Sequence, residues 1–267
     1  MANGDGVTIG GNLDLPIFAQ VALGLHPGVL FDSQFGYNPQ IDTTTDPEDV
    51  WQGGGLYTGM PQAGTEETVT VVSTSTADTI TGPGTGAHTV KISGLDGTYA
   101  PVEETIDITG QVAVTTTQAF WRINRVDVTA AGTSMSNEGT ITVAMSTTTA
   151  NVMQVIAPDF ARSTTAAFTV PAGYTGLLLH FEAQVSRANN AATSAQVHLM
   201  YRIFGSSVWL TLEAYQAVSG SWVQKDLIIP HVIPEKADIR VEVHEVGSSA
   251  TFATASIGGI MIPNGHL

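Results

Sequence analysis

The sequence predicts an all-β chain: two antiparallel β-sandwiches preceded by an extended N-terminal arm. Three observations lead there. From Thr65 to Val170, short runs of Thr, Val and Ile alternate with period two, as in Thr89-Val90-Lys91-Ile92 and Thr140-Ile141-Thr142-Val143. Such alternation turns one set of side chains to a core and the other to water, and β-branched residues lose little χ1 freedom on a pleated surface. Turn-forming clusters separate the runs at intervals of about ten residues, among them Gly82-Pro83-Gly84, Gly94-Leu95-Asp96-Gly97 and Asn137-Glu138-Gly139. A second set of longer runs follows the strong turn Pro171-Ala172-Gly173-Tyr174-Thr175-Gly176.

Residues 1–60 read as the arm. Gly and Pro are frequent there, and large apolar residues such as Phe18, Leu23, Phe31 and Trp51 stand apart from one another. A helix is expected only within 15–25, with Pro16 tolerated in its first turn. Asp46-Pro47-Glu48-Asp49 reads as a helix cap and one helical turn. The segment cannot close a core of its own, yet it is too apolar for a solvated tail. Two placements stay open: on its own β domain, or on a neighbouring subunit.

Residues 61–166 form the first sandwich, with strands expected at 69–71, 89–92, 105–108, 122–128 and 140–143. Residues 167–267 form the second, with strands expected at 177–185, 195–204, 208–218, 221–230, 239–246 and 253–262. Six such strands also fit a jelly roll. Trp209 and Trp222 fall within expected strands, which predicts burial in the core.

Composition excludes several classes of function. The chain has 267 residues, 43% hydrophobic, enough for one large core or two small ones. Charged residues make up only 12%, about half the usual share, so Thr, Ser, Ala and Gly supply a neutral surface suited to protein contact. Net charge is −15, from 9 basic against 24 acidic residues. Nucleic-acid binding needs clustered basic groups that displace counterions, and anionic membranes repel an acidic surface; neither is an expected partner. With no Cys, disulfides, thiolate metal sites and Cys nucleophiles are excluded. Met1–Gly6 has neither a basic nor an apolar leader segment, so no secretion signal is expected.

No motif carries catalytic or cofactor chemistry, and none is expected. Gly82-Pro83-Gly84-Thr85-Gly86 lacks the Lys and the following helix of a phosphate-binding loop. The seven His show no paired-ligand spacing; His180 and His198 are expected on adjacent strands, but a metal site would need a third ligand that the sequence does not name. Glu66-Glu67 and Glu103-Glu104 point to opposite strand faces and cannot act together. Asp42, Asp46, Glu48 and Asp49 lack the ligand spacing of a calcium loop, which favours a solvated loop.

The run Val50-Trp51-Gln52-Gly53-Gly54-Gly55-Leu56-Tyr57-Thr58-Gly59, followed by the Val/Thr strands from Thr68, resembles structural proteins of tailed bacteriophages, especially phages of aquatic bacteria. Stretches 86–94, 120–128, 140–149 and 167–176 extend the resemblance. It implies a non-enzymatic virion component on the outer surface of the head, assembled in the host cytoplasm. A capsid decoration or cement protein fits best, with the major capsid protein or other virion proteins as partners and a homo-oligomer, trimer favoured. Phe18, Leu23, Phe31 and Trp51 are the expected contact residues, since large apolar groups without a local core often anchor interfaces. The alternative is a tail, collar or fibre component whose C-terminal sandwich recognises a host receptor or glycan. A glycan depolymerase stands third, with no carboxylate pair to carry it.

Overall fold

A computed structural model describes residues 17–82, 84–187 and 193–266. In chain order the elements are α1 (Ile17–Ala22), β1 (Leu30–Ile41), β2 (Glu48–Asp49), β3 (Glu67–Ser73), β4 (Ala87–Leu95), β5 (Pro101–Asp107), β6 (Val114–Phe120), β7 (Arg122–Ala131), β8 (Ile141–Met145) and β9 (Val152–Ile156). Then come β10 (Ala167–Thr169), β11 (Tyr174–Arg187), β12 (Ser194–Arg202), β13 (Leu210–Val218), β14 (Trp222–Ile233), β15 (Asp238–His244) and β16 (Thr251–Pro263). The fold is all-β, and its strand pairs are antiparallel.

One sandwich faces the sheet β1-β16-β11-β14 against β10-β15-β12-β13, with β2 added beside β15. From β10 onward each strand crosses to the facing sheet, except for the β12–β13 hairpin. This order is a jelly roll. Its core includes Phe181, Leu199, Val241 and Ile257. The other sandwich, β6-β3-β8-β9 against β5-β4-β7, is inserted between β1 and β10 and has a separate core that includes Val71, Ile92, Phe120 and Ile141.

Residues 30–41, expected in an arm, are therefore the first jelly-roll strand. The period-two hydrophobic signal is absent there because the inward positions are Gln34, Gly36 and Asn38, while Phe31 and Phe35 face out and are exposed. Gly36 is required by close approach: a Cβ would lie 2.2 Å from the Val50 carbonyl oxygen and 2.4 Å from the Ala166 nitrogen.

The helical turn expected at 46–49 is also absent. Glu48 and Asp49 pair with Val243 and Glu242 of β15. The Glu48 carboxylate accepts hydrogen bonds from the Gly55 N–H at 2.9 Å and the Asn38 amide at 3.2 Å. These long-range donors outweigh the local helix-capping preference of the segment.

A small apolar cluster of Trp51, Tyr57, Met60, Val155 and Ala167 fills the space between the two sandwiches. Beside it lies a buried charged junction. Asp238 at the start of β15 accepts from Arg122 Nε of β7 at 3.0 Å, from Arg202 of β12, and from the Thr169 hydroxyl at 2.6 Å. Arg122 also donates to the Trp121 and Pro61 carbonyls, and Arg202 to that of Met60. The Arg122 guanidinium lies over the rings of Trp121 and Tyr99, which cover it from solvent.

Removing one partner of a buried ion pair leaves uncompensated charge in a low-dielectric site. Asp238→Ala should destabilise the protein by about 3–5 kcal/mol in denaturant unfolding. A loss below about 1 kcal/mol, the value of a surface pair, would show that the junction does not hold the sandwiches together.

Candidate interaction surface

The expected contact residues occupy different environments. The side chain of Phe18 lies outside the described residues. Leu23, just after α1, and Phe31, on the outward face of β1, are exposed. Trp51 is buried, with its Nε1–H donating to the Gly55 carbonyl at 3.0 Å and its ring edge-on to Tyr57 at 5.1 Å. Gly54 and Gly55 have φ of +68° and +63°, a left-handed conformation that costs glycine little and that turns the Trp-Gln-Gly-Gly-Gly run back under the indole. Trp51 thus plugs the junction of its own chain, while Leu23 and Phe31 are presented to solvent.

One flank of the jelly roll is open. β13 and β14 are each the terminal strand of their sheet. They are bridged by side chains: Glu213 of β13 accepts from Lys225 Nζ at 2.9 Å and His231 Nε2 at 3.0 Å, both of β14, and from the Tyr215 hydroxyl of its own strand at 2.7 Å. Partial burial opposes ionisation of Glu213, but these donors outweigh it and hold the carboxyl down at about 2.

Between the pairs Leu178↔His231 and His180↔Asp226 a single β11 residue faces the four residues 227–230 of β14, a bulge in which Leu227 stays in the core. The bulge exposes Ile228 (98%) and Ile229 (84%). Val232, Leu210 and Val218 are exposed on the same two strands. Trp222, expected in the core, is instead 60% exposed: it begins the edge strand β14 beside the tight turn at Gly220, pairs with Gln184 of β11 on one side and has no strand on the other. Trp209 is partly buried, with its ring packed under the guanidiniums of Arg202 and Arg240.

A second apolar surface lies at the opposite edge of the same sheet. A cleft of about 660 Å³ runs between β1 and the ends of β4, β5 and β7, lined by Leu30, Phe31, Leu95, Pro101, Val102 and Met261. Asp32, Gln34, Glu103, Asn124 and Arg125 form its polar side. Burial raises the Asp32 carboxyl above its ordinary range.

The titratable groups are engaged structurally. Glu67 accepts from the Thr147 and Thr148 N–H groups, and Glu104 from those of Thr117 and Gln118. His180 and His198, expected on adjacent strands, sit in facing sheets because β11 and β12 cross between sheets. His180 contacts Asp226 at 2.7 Å, whereas His198 stacks on His244 at 4.3 Å. Among the described residues no group of three or more His, Asp or Glu has the arrangement of a metal site, and no helix is long and apolar enough to cross a membrane.

No protein-family model and no curated protein matches the chain. Solved structures with some backbone likeness are of virus particles. One is of infectious bursal virus derived T=1 particles (TM-score 0.24, 10% identity, covering 89% of this chain and 70% of that one). Another is of the infectious bursal disease virus Gt strain (TM-score 0.24, 11% identity, covering 95% and 79%). A third is of the VP2 subviral particle of that virus (TM-score 0.20, 10% identity, covering 88% and 73%). Likeness this low carries no argument, and the jelly-roll description rests on the strand order of this chain.

Asp49 gives the structure a pH dependence. Burial pushes its carboxyl up to about 7, against the pull of Arg240 at 3.0 Å and the Tyr57 N–H at 2.6 Å. Its Oδ1 has no hydrogen-bond partner, and the buried carboxylates of Glu48 and Glu242 lie nearby. A carboxyl whose folded pKa is raised stabilises the fold fully below its unfolded value, and that stability is lost as pH rises through the folded value. Unfolding stability should therefore fall between about pH 4 and pH 7, with a slope of at most about 1.4 kcal/mol per pH unit from this group. Asp49→Asn should remove that slope; thermal melts in which the two proteins keep parallel profiles would overturn the assignment.

Proposed function

We propose that this chain is a non-enzymatic structural component of a virion, a capsid decoration or cement protein that stabilises the shell by binding the major capsid protein and sister copies of itself. Its place is the outer surface of the head, joined during assembly in the host cytoplasm. The observation that carries this reading is the character of the exposed surface. Large apolar side chains are displayed on two separate edges of a rigid jelly roll, and exposed apolar patches of this kind mark protein contacts. Three further features support it. Jelly rolls recur in viral shells, a fold-level analogy. A net charge of −15 suits a surface turned away from packaged DNA. The Trp51–Gly55 stretch carries the resemblance to phage structural proteins. Several weak contacts on one shell reinforce one another without any single tight site.

Removing residues 1–60 would delete β1 and unfold the jelly roll, so the informative truncation stops before Leu30. Two separate variants, Leu23→Asp in the full chain and a deletion that ends just before Leu30, test whether the leading segment holds the shell. Both variants should remain folded and lower the number of copies retained on purified heads at least about tenfold, the loss expected when an exposed apolar anchor is removed. Unchanged copy number by electron microscopy of the particles would remove the leading segment from the mechanism.

A second reading has its own observation. Trp222 stands exposed beside a turn, and sugar rings stack on such aromatic faces. In this reading the C-terminal sandwich recognises a host glycan or receptor as a tail, collar or fibre part. Trp222→Ala should then abolish adhesion of the particles to host cells while leaving the copy number of the protein on the particles unchanged; undiminished adhesion would overturn this reading.

A further inference from the structure

A cavity of about 520 Å³, separate from the cleft beside β1, opens between the two sandwiches at the Arg202 end of β12. Tyr99 of the inserted sandwich lines one side, and Arg202, Phe204, Lys236 and Asp238 of the jelly roll line the other. Its volume falls in the range of about 300–1,000 Å³ that suits a small molecule. Phe204, in the loop after β12, is 58% exposed and meets Tyr99 edge-on at 5.5 Å. Gln62, Ser206 and Ser207 bring polar groups to the same cavity.

At the floor of the cavity two buried guanidiniums share one buried carboxylate. Arg122 is fully engaged: it donates to both Asp238 oxygens and to the Trp121 and Pro61 carbonyls. Arg202 reaches Asp238 and the Met60 carbonyl through Nη2 alone, and its Nε and Nη1 have no hydrogen-bond partner among the described residues. Buried charge is ordinarily matched by a counter-charge, and this group carries one positive charge in excess. Lys236 adds a second. Its Nζ lies over the rings of Phe204 at 5.2 Å and Tyr99 at 5.9 Å, and among the described residues it forms no ion pair. The neighbouring carboxylates are committed elsewhere: Glu66 accepts from the Gly97 N–H and Glu235 from that of Gly173, each at 2.6 Å. Arg240, which also packs on Trp209, has Asp49 and Glu242 as its own partners. The backbone of Lys236 has φ of +60°, uncommon for a residue with a Cβ, and its N–H is held by the Val170 carbonyl at 2.8 Å.

We propose that this cavity binds an acidic sugar, with the carboxylate held by Arg202 and Lys236 and the ring against Phe204. A carboxylate supplies the missing counter-charge and accepts from the free donors of Arg202 and from the Lys236 ammonium. Inorganic phosphate would meet the charge but leave Phe204 and most of the volume unused. A hydroxylated ring fills that volume, turns C–H groups to the electron-rich face of Phe204, and offers hydroxyls to Gln62, Ser206 and Ser207. The inference takes the glycan reading to a different place on the molecule. Trp222 follows the β13–β14 turn, whose Val218 pairs with Ser194 at the far end of β12. The cavity is tested with free sugars on the isolated protein, so its failure and the failure of Trp222 in host adhesion are read separately.

Glucuronate titrated into the protein in a calorimeter should bind with Kd of about 1 mM or below, and glucose, the same ring without the carboxylate, at least about tenfold more weakly. Lys236→Met and Phe204→Ala should each weaken glucuronate at least about tenfold. Both variants should keep the melting temperature of the parent, since neither side chain belongs to a buried core. Trp222→Ala should bind glucuronate as the parent does. Glucuronate that shows no heat of binding at about 10 mM would overturn the proposal, as would a loss of binding in Trp222→Ala. Phosphate that binds as tightly as glucuronate, with no effect of Phe204→Ala, would reduce the cavity to a plain anion site and overturn the sugar assignment. N-acetylglutamate that binds more tightly than glucuronate would overturn it too, by giving the cavity to an acidic side chain of a protein partner.

Discussion

Asp238 is the constraint on which the rest of the structure depends. The jelly roll is interrupted after its first strand by the whole inserted sandwich, and the chain must return in register to form β10. Arg122 comes from the inserted sandwich, Arg202 from the jelly roll, and both guanidiniums meet the same buried carboxylate. Ionic groups this deep are tolerated only when their hydrogen bonds are satisfied. Here the remaining donors reach the Met60, Pro61 and Trp121 carbonyls, which ties the connecting segment to the same point. Trp51, Tyr57 and Met60 then fill the adjacent apolar gap.

That arrangement makes the molecule asymmetric. On the β1 side, the inserted sandwich and residues 50–60 cover much of the jelly roll and leave a bounded cleft. On the β13–β14 side nothing in the described chain covers the edges, and a side-chain network centred on Glu213 closes the gap between the sheets. Unpaired edges of antiparallel sheets attract other strands, and the β14 bulge with its proline limits that tendency. The same bulge pushes two isoleucines outward. One local device therefore interrupts an edge and holds two isoleucines in solvent.

The surface as a whole follows the same division. On the inserted sandwich Glu67 and Glu104 accept from backbone N–H groups of neighbouring segments, while Glu103 and Asp127 pair with Lys91, Arg125 and Arg162. The two carboxylates on Arg240, those of Asp49 and Glu242, support the β2–β15 pairing. What remains for partners is the exposed Ile228–Ile229 pair, the apolar cleft, the exposed leading segment and Trp222.

Much of this was legible in the sequence wherever alternation was clean. The strands at 69–71, 89–92, 122–128 and 239–244 have β-branched residues inward and Thr or charged residues outward, and period two suffices to read them. β1 was hidden because its inward positions are Gln34, Gly36 and Asn38, chosen for close approach and hydrogen bonding between elements far apart in sequence. The helical turn expected at Asp46–Asp49 failed because its carboxylates serve Asn38, Gly55 and Arg240 instead. Exposed Leu23 and Phe31 could be picked out as apolar residues without a local core, but buried Trp51 carried the same signal. The exposed Ile228–Ile229 pair looked like ordinary strand interior.

The sequence by itself determined the all-β class, the acidic and charge-poor surface, and the lack of thiol chemistry, because these follow from local propensity and composition. Only the tertiary structure decided that β1 belongs with the C-terminal strands, that one sandwich interrupts the other, and which apolar residues face water. Those outcomes depend on pairings across more than a hundred residues (Phe31 with Ile260, Arg122 with Asp238), and no local pattern encodes which distant partner a strand will meet.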